Sequence, residues 1–349
     1  MLESLRFHLV VCFVLLMATL ASAQESPVVV PVVEEEEGRL IQQMGDRFHL
    51  ETTEYLVSLS EKLDGFFPNP DNRRFDYSRS RLLVQLGAQV DSNGELLMLQ
   101  RVSGRIVLPR MEKRLSLYFS GDRDDLNSPR DGATTNIFFL PTIEDTHFRF
   151  GFNTALRFIF TQSDIYLVQN QLGVRLLPTW EPYEEVSGSL RIPFGKFLWQ
   201  PAEILFWRQS KGIGETTRYD LDYALNPTAI IRWHQEASIF QESNGYEHLH
   251  SISFLHQLRE NCGYVFTIEA RGETLPVQRM TQYLVGFTWK ELIYRDWLFI
   301  ETGTKMTFSQ IESFEPVSAV FFSLIADFNG KSKRPQPSRA REEIVIPAP

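Results

Sequence analysis

The sequence predicts an all-β fold, a transmembrane antiparallel β-barrel of about 12–14 strands with an N-terminal amphipathic helix. Three observations carry that prediction. After Tyr77, apolar residues recur at every second position over roughly 250 residues. The alternating segments mostly run to about 9–14 residues, the length a tilted strand needs to cross a bilayer, whereas soluble strands are nearer about 5 or 6. Their connections alternate between long and tight, as they do in outer-membrane barrels.

The elements follow in chain order. Residues 1–23 carry Arg6, an apolar run from Leu9 to Leu20 and the small-residue close Ala21-Ser22-Ala23, the pattern of a secretory signal peptide. Once that segment is removed, Cys262 is the remaining cysteine and no intramolecular disulfide is expected. Residues 24–37 (QESPVVVPVVEEEE) combine Pro, Val and four glutamates and read as a linker. Over residues 38–67 the period becomes helical. Ile41, Met44, Phe48, Tyr55, Leu59, Leu63 and Phe66 form one side, Gln42, Asp46, Glu54, Glu61 and Lys62 the other. A weak point is expected near Thr52-Thr53, and Pro68 and Pro70 end the segment.

Residues 78–328 are assigned to the barrel. Leu82, Val84, Leu86, Ala88 and Val90 alternate with Arg81, Gln85 and Gln89. Thr217, Tyr219, Leu221 and Tyr223 oppose Arg218, Asp220 and Asp222. Tyr264, Phe266, Ile268 and Ala270 oppose Thr267, Glu269 and Arg271, and Val320, Phe322, Leu324, Ala326 and Phe328 oppose Ser323 and Asp327. With the first strand leaving the periplasm at Ser80, the outside connections include residues 121–145, 178–184, 272–278 and 307–316. The periplasmic ones, 109–113, 162–163, 225–227 and 259–261, are short. Trp180, Trp199, Trp207, Trp289 and Trp297 near strand ends suit interfacial girdles. Residues 329–349 form a basic, Pro-containing tail expected to be disordered in the periplasm, so an insertion signal on the last strand would be internal.

A formal charge of −9 argues against nucleic acid as a partner. The expected partners are outer-membrane lipids, the outer-membrane assembly machinery and a periplasmic partner reached by the helix or tail. The expected location is the outer membrane of a Gram-negative bacterium, and no cofactor is expected.

Three groups of residues are candidates for chemistry. Gln241-Glu242-Ser243-Asn244-Gly245 resembles the His-x-Ser-Asn-Gly stretch of outer-membrane phospholipase A, which would make Ser243 a nucleophile. The base position holds Gln241, which cannot take the proton of a serine hydroxyl. Ser-Asn-Gly also suits a hairpin turn and recurs at Ser92-Asn93-Gly94. His234, His248, His250 and His256 lie on two segments expected to pair. His248 and His250 share a face and are the metal candidates, while the place of His234 depends on register. The third group is charge on the polar faces: Arg81, Arg101, Arg105, Arg218, Asp220, Asp222, Arg232, Glu236, Glu269, Arg271, Glu301, Lys305 and Asp327. With apolar faces in lipid these point inward, giving a salt-bridged lattice or a weakly selective aqueous path. Gly212-Ile213-Gly214 reads as turn chemistry.

LDGFF (63–67), GRIVLPRMEKRL (104–115), LFWRQSKGIGETTRYDLDYAL (205–225) and YRDWLF (294–299) resemble blocks of an uncharacterised proteobacterial outer-membrane protein family. The resemblance extends over about residues 60–328 and implies a barrel and its location, not an activity. The sequence therefore predicts a porin-like or structural envelope protein without catalysis. The alternatives are a lipid-modifying barrel enzyme acting at the outer leaflet, and a periplasmic β-protein in envelope assembly. The helix is placed inside the lumen as a plug, beneath the barrel, or on a partner.

Overall fold

The computed structural model describes residues 33–65, 80–111, 114–120, 153–176, 180–243, 245–275 and 277–329. The signal peptide, the first part of the linker, Phe66, Pro68 and Pro70, the 121–145 connection and the tail from residue 330 lie outside the described residues.

One helix, α1 (Val33–Asp64), precedes the strands β1 (Arg81–Asp91), β2 (Leu96–Leu108), β3 (Leu115–Ser120), β4 (Asn153–Gln162), β5 (Tyr166–Arg175), β6 (Glu181–Leu190), β7 (Ile192–Phe194) and β8 (Phe197–Arg208). The rest are β9 (Gly212–Asn226), β10 (Ala229–Phe240), β11 (Glu247–Arg259), β12 (Cys262–Glu273), β13 (Arg279–Tyr294), β14 (Leu298–Ser309) and β15 (Pro316–Asn329). Each strand pairs antiparallel with its sequence neighbour, and β1 pairs with β15 from Arg81↔Asn329 to Asp91↔Ala319. The short β7 continues β6 along β8, so the sheet closes as a barrel of fourteen staves. Closure pairs the first and last strands and so removes the open edges that hydrocarbon would leave unsatisfied.

Burial is inverted relative to a water-soluble sandwich. Arg157, Gln171, Arg175, Glu185, Glu269, Glu301, Lys305 and Asp327 are buried, while Leu172, Leu205, Trp207, Ile213, Trp233, Ile252, Ile268 and Val320 are exposed. The pleat explains this. Successive side chains point to opposite faces, so one face of the wall gathers the polar and charged groups in the lumen while the other presents apolar groups outward.

The helix differs from its expected bounds. It begins at Val33 and includes the four-glutamate run Glu34–Glu37, whose charge suits the positive end of a helix dipole. It runs through Thr52-Thr53 without a break and stops at Asp64.

Its position excludes a plug. Leu56 packs with Ile106, Leu108 and Leu115, and Leu59 and Leu63 join them. Phe48 packs against the cluster of Trp297, Ala326 and Phe328, as Leu82, Val84 and Leu298 also do. These strand residues belong to the outward set that opposes Arg81, Arg105 and Asp327, so α1 lies against the outer wall at the end carrying both chain termini of the barrel. Polar contacts fix it there. Ser60 Oγ donates to the Leu56 carbonyl at 2.8 Å and lies 2.8 Å from Ser80 Oγ. The Asp64 carboxylate accepts from the Arg110 backbone N–H at 3.1 and 3.2 Å, and Asp46 pairs with Arg295 and accepts from the Tyr294 hydroxyl. Trp297, placed in a girdle by the sequence, is instead buried under α1, stacked on His49 at 4.8 Å.

His49 supplies a pH dependence. Its Nε2–H donates to the Asp327 carbonyl at 3.2 Å, and its ring lies between Trp297 and Phe328. Burial lowers its pKa below the ordinary 6.5, against the opposing pull of that hydrogen bond and of Asp296, Asp327 and Asp46. The undocked helix therefore takes up a proton that the docked one refuses. Docking is at full strength above pH 6.5 and weakens as the pH falls below it. The protection of residues 45–64 against hydrogen exchange, taken relative to the intrinsic rate at each pH, should fall from about pH 7.5 to about pH 5.5, and His49→Gln should flatten that dependence.

Candidate functional site

The site the fold builds is its lumen. Arg81, Arg101, Arg105, Arg218, Asp220, Asp222, Arg232, Glu236, Glu269, Arg271, Glu301, Lys305 and Asp327 all fall on the inward parity of their strands. Register then converts them into pairs. Arg81 donates through Nε and Nη2 to the two Asp327 oxygens at 2.8 and 2.7 Å. Arg232 does the same to Asp222 at 2.5 and 2.6 Å. Arg218 grips Glu236 at 2.7 Å, Arg271 donates to Glu269 at 2.6 Å, and His234 Nδ1 meets Asp220 at 2.8 Å. Glu301 lies across from Lys290 and near Arg101.

A second sector was missed in the sequence. On β3 to β8, Arg157 lies 3.9 Å over the Tyr118 ring, with Arg105 5.6 Å away on the same ring. Tyr183, 1 % exposed, accepts from Gln171 and lies beside Arg175. Arg175 pairs with Glu181 and Arg208 with Glu185. Tyr183 fits because Gly173 faces it: a Cβ at Gly173 would come within 2.4 Å of the ring. The alternation holds in these strands, where Arg157, Gln171, Arg175, Glu181 and Glu185 share the inward parity in unbroken register, so the signal was present in the sequence.

At the end of the barrel that carries its two chain termini, a cavity of about 600 Å³ opens between the β4–β5 turn and the β7–β8 hairpin. Asp164, Arg191 and Lys196 line it, together with Leu198, Ile230 and the inward Asp222.

The other candidates fall elsewhere. Ser243 Oγ accepts from the Phe240 N–H at 3.0 Å and contacts the carbonyls of Phe240 and Gly245 at 2.8 and 2.9 Å, so the hydroxyl closes the β10–β11 turn. His248 and His250 do share a face, with ring centroids 5.2 Å apart, and it is the outward one. Asp220-paired His234 is on the inward face, opposite Ser251, and does not join them. Among the described residues no group of three or more His, Cys, Asp or Glu is placed to hold a metal ion. Gly212 and Gly214 open β9 instead of forming a turn. Gly212 has φ +71°, and Gly214 lies under the Phe206 ring.

No family model and no curated protein matches the chain. Among solved structures it is similar to the loop L8 deletion mutant of OmpT, an outer membrane protein of Vibrio cholerae (9% identity, TM-score 0.43, 71% of this chain and 98% of that one). It is similar also to the outer membrane channel DcaP of Acinetobacter baumannii (7% identity, TM-score 0.42, 71% and 96%). A third is the NanC porin (7% identity, TM-score 0.35, 70% and 98%).

Proposed function

We propose that the chain is a porin-like barrel of a Gram-negative outer membrane, passing small hydrophilic solutes with weak charge selectivity and performing no catalysis. The observation that carries this reading is the lumen, where charges of both signs pair across strands around a closed fourteen-stave wall. A barrel of about eight strands is filled by its own side chains, and wider ones leave an aqueous channel. Mixed-sign pairing leaves a path of low net field, in contrast to the single-sign rings that make strong selectivity. The sequence resemblance to an uncharacterised outer-membrane family is in keeping with this assignment. Planar-bilayer recording is the test. Stable conductance with a reversal potential near zero across a salt gradient is expected. Strong ion selectivity would sink the selectivity reading, and absence of conductance from correctly folded protein would leave a structural barrel.

A further inference from the structure

The helix on the outer wall has three chemically distinct sides. At about 100° per residue, Gly45, His49, Thr53, Leu56, Ser60 and Asp64 form one stripe, and all are buried against the barrel. On one flank Met44 and Tyr55 extend the side that Phe48 and Leu59 begin, yet both are well exposed, at 59% and 62%. On the far side Arg47, Glu54 and Glu61 are exposed and polar, with the exposed Leu50 beside them, and Lys62 is exposed on the Met44 flank, where a long stem suits an apolar surface with the ammonium kept in water.

The two flanks are oriented by their contacts. Phe48 packs edge-on against Phe328, ring centroids 5.9 Å apart, and belongs to the outer-wall cluster built on Trp297, Ala326 and Phe328. The opposite edge, through Asp46 and Asp64, meets Arg295 and Arg110 in the short turns. From Asp46 to Asp64 the axis covers about 27 Å. In that distance the helix passes from the β13–β14 turn to the β2–β3 turn, about four strand spacings of roughly 4.8 Å. A path of that length follows the rim instead of climbing the wall.

We propose that α1 is an in-plane membrane-interface helix, held to the barrel on one side, with its Met44–Tyr55 flank inserted in the periplasmic phospholipid leaflet and its Arg47–Glu54–Glu61 side in water. The occupant of the apolar flank follows from continuity. The flank lies opposite the edge that meets the rim turns and so faces the outward apolar side of the strands, and the acyl chains that cover that side cover the flank. The exposed polar side carries more acid than base, so insertion is driven by apolar burial and not by attraction to anionic headgroups. The inference rests on the membrane location of the barrel and is independent of whether the lumen conducts.

Nitroxide labelling of the full mature chain in phosphatidylethanolamine–phosphatidylglycerol vesicles tests it. In a Cys262→Ser background, labels go on Met44→Cys, Tyr55→Cys, Arg47→Cys and Glu54→Cys, with Ile252→Cys on the exposed outward face of β11 as the bilayer reference. Heat-modifiable gel migration confirms the fold of each variant. The ratio of collisions with oxygen to collisions with a water-soluble nickel chelate is expected to be several-fold higher at Met44 and Tyr55 than at Arg47 and Glu54. Equal nickel access at all four helix sites, with an oxygen-rich Ile252, would overturn the proposal alone. Labels at Met44 and Tyr55 that are immobilised and shielded from both reagents would also overturn it, in favour of a protein partner. A nickel-accessible Ile252 would instead defeat the membrane reading itself.

Discussion

Asp222→Asn is expected to destabilise the barrel by about 3–5 kcal/mol, because it leaves the Arg232 guanidinium buried without its carboxylate. Both side chains are about a tenth exposed, at 10% and 11%, so solvent screening relieves little of the penalty. Asp220 lies close enough to share the charge, although His234 already engages it, which puts the effect towards the lower end of that range. Replacing both partners, Asp222→Leu with Arg232→Leu, should recover most of the loss, since the desolvation cost goes with the charges. Urea unfolding of refolded protein in micelles measures the cycle. A double variant as unstable as the single one would show that the pair acts through packing and not through charge.

Deletion of residues 33–65 is expected to leave single-channel conductance unchanged while lowering the temperature at which the barrel loses its compact gel migration. A plug would give the opposite result, a rise in conductance with little change in the wall. The stability effect comes from the strand ends that α1 covers: Ile106, Leu108, Leu115, Trp297 and Phe328 are all buried beneath it. Leu56, 4% exposed, is the central contact, and Leu56→Ala alone should weaken docking by about 2–5 kcal/mol. Faster hydrogen exchange along α1, with strand exchange unaltered, is the expected signature.

The docking site also shows how scattered stretches acquire a common role. Leu63 and Asp64, the segment around Ile106–Arg110, and the Tyr294–Phe299 turn belong to three of the four blocks noted in the sequence. They meet at α1. Nothing in their order announces this. His49 finds Asp327 across 278 positions of chain, and Asp46 finds Tyr294 across 248.

The sequence by itself determined the barrel, a strand number of about 12–14, the alternation of long and tight connections, and which side of β1, β9, β12 and β15 faces in. All of these follow from the two-residue pleat, a local property that any strand displays in its own composition. Tertiary structure alone decided who pairs with whom. That Arg232 takes Asp222, that His234 turns from His250, and that Trp297 serves the helix instead of the membrane are consequences of register and closure. The helix illustrates the division most clearly. Its amphipathic period is legible at Met44, Phe48, Tyr55 and Leu59, but amphipathicity specifies only that one side leaves water. The apolar outer ends of β1, β2, β3 and β15, brought together by barrel closure, made that side a wall to dock on, because docking removes from water apolar surface that neither element covers alone.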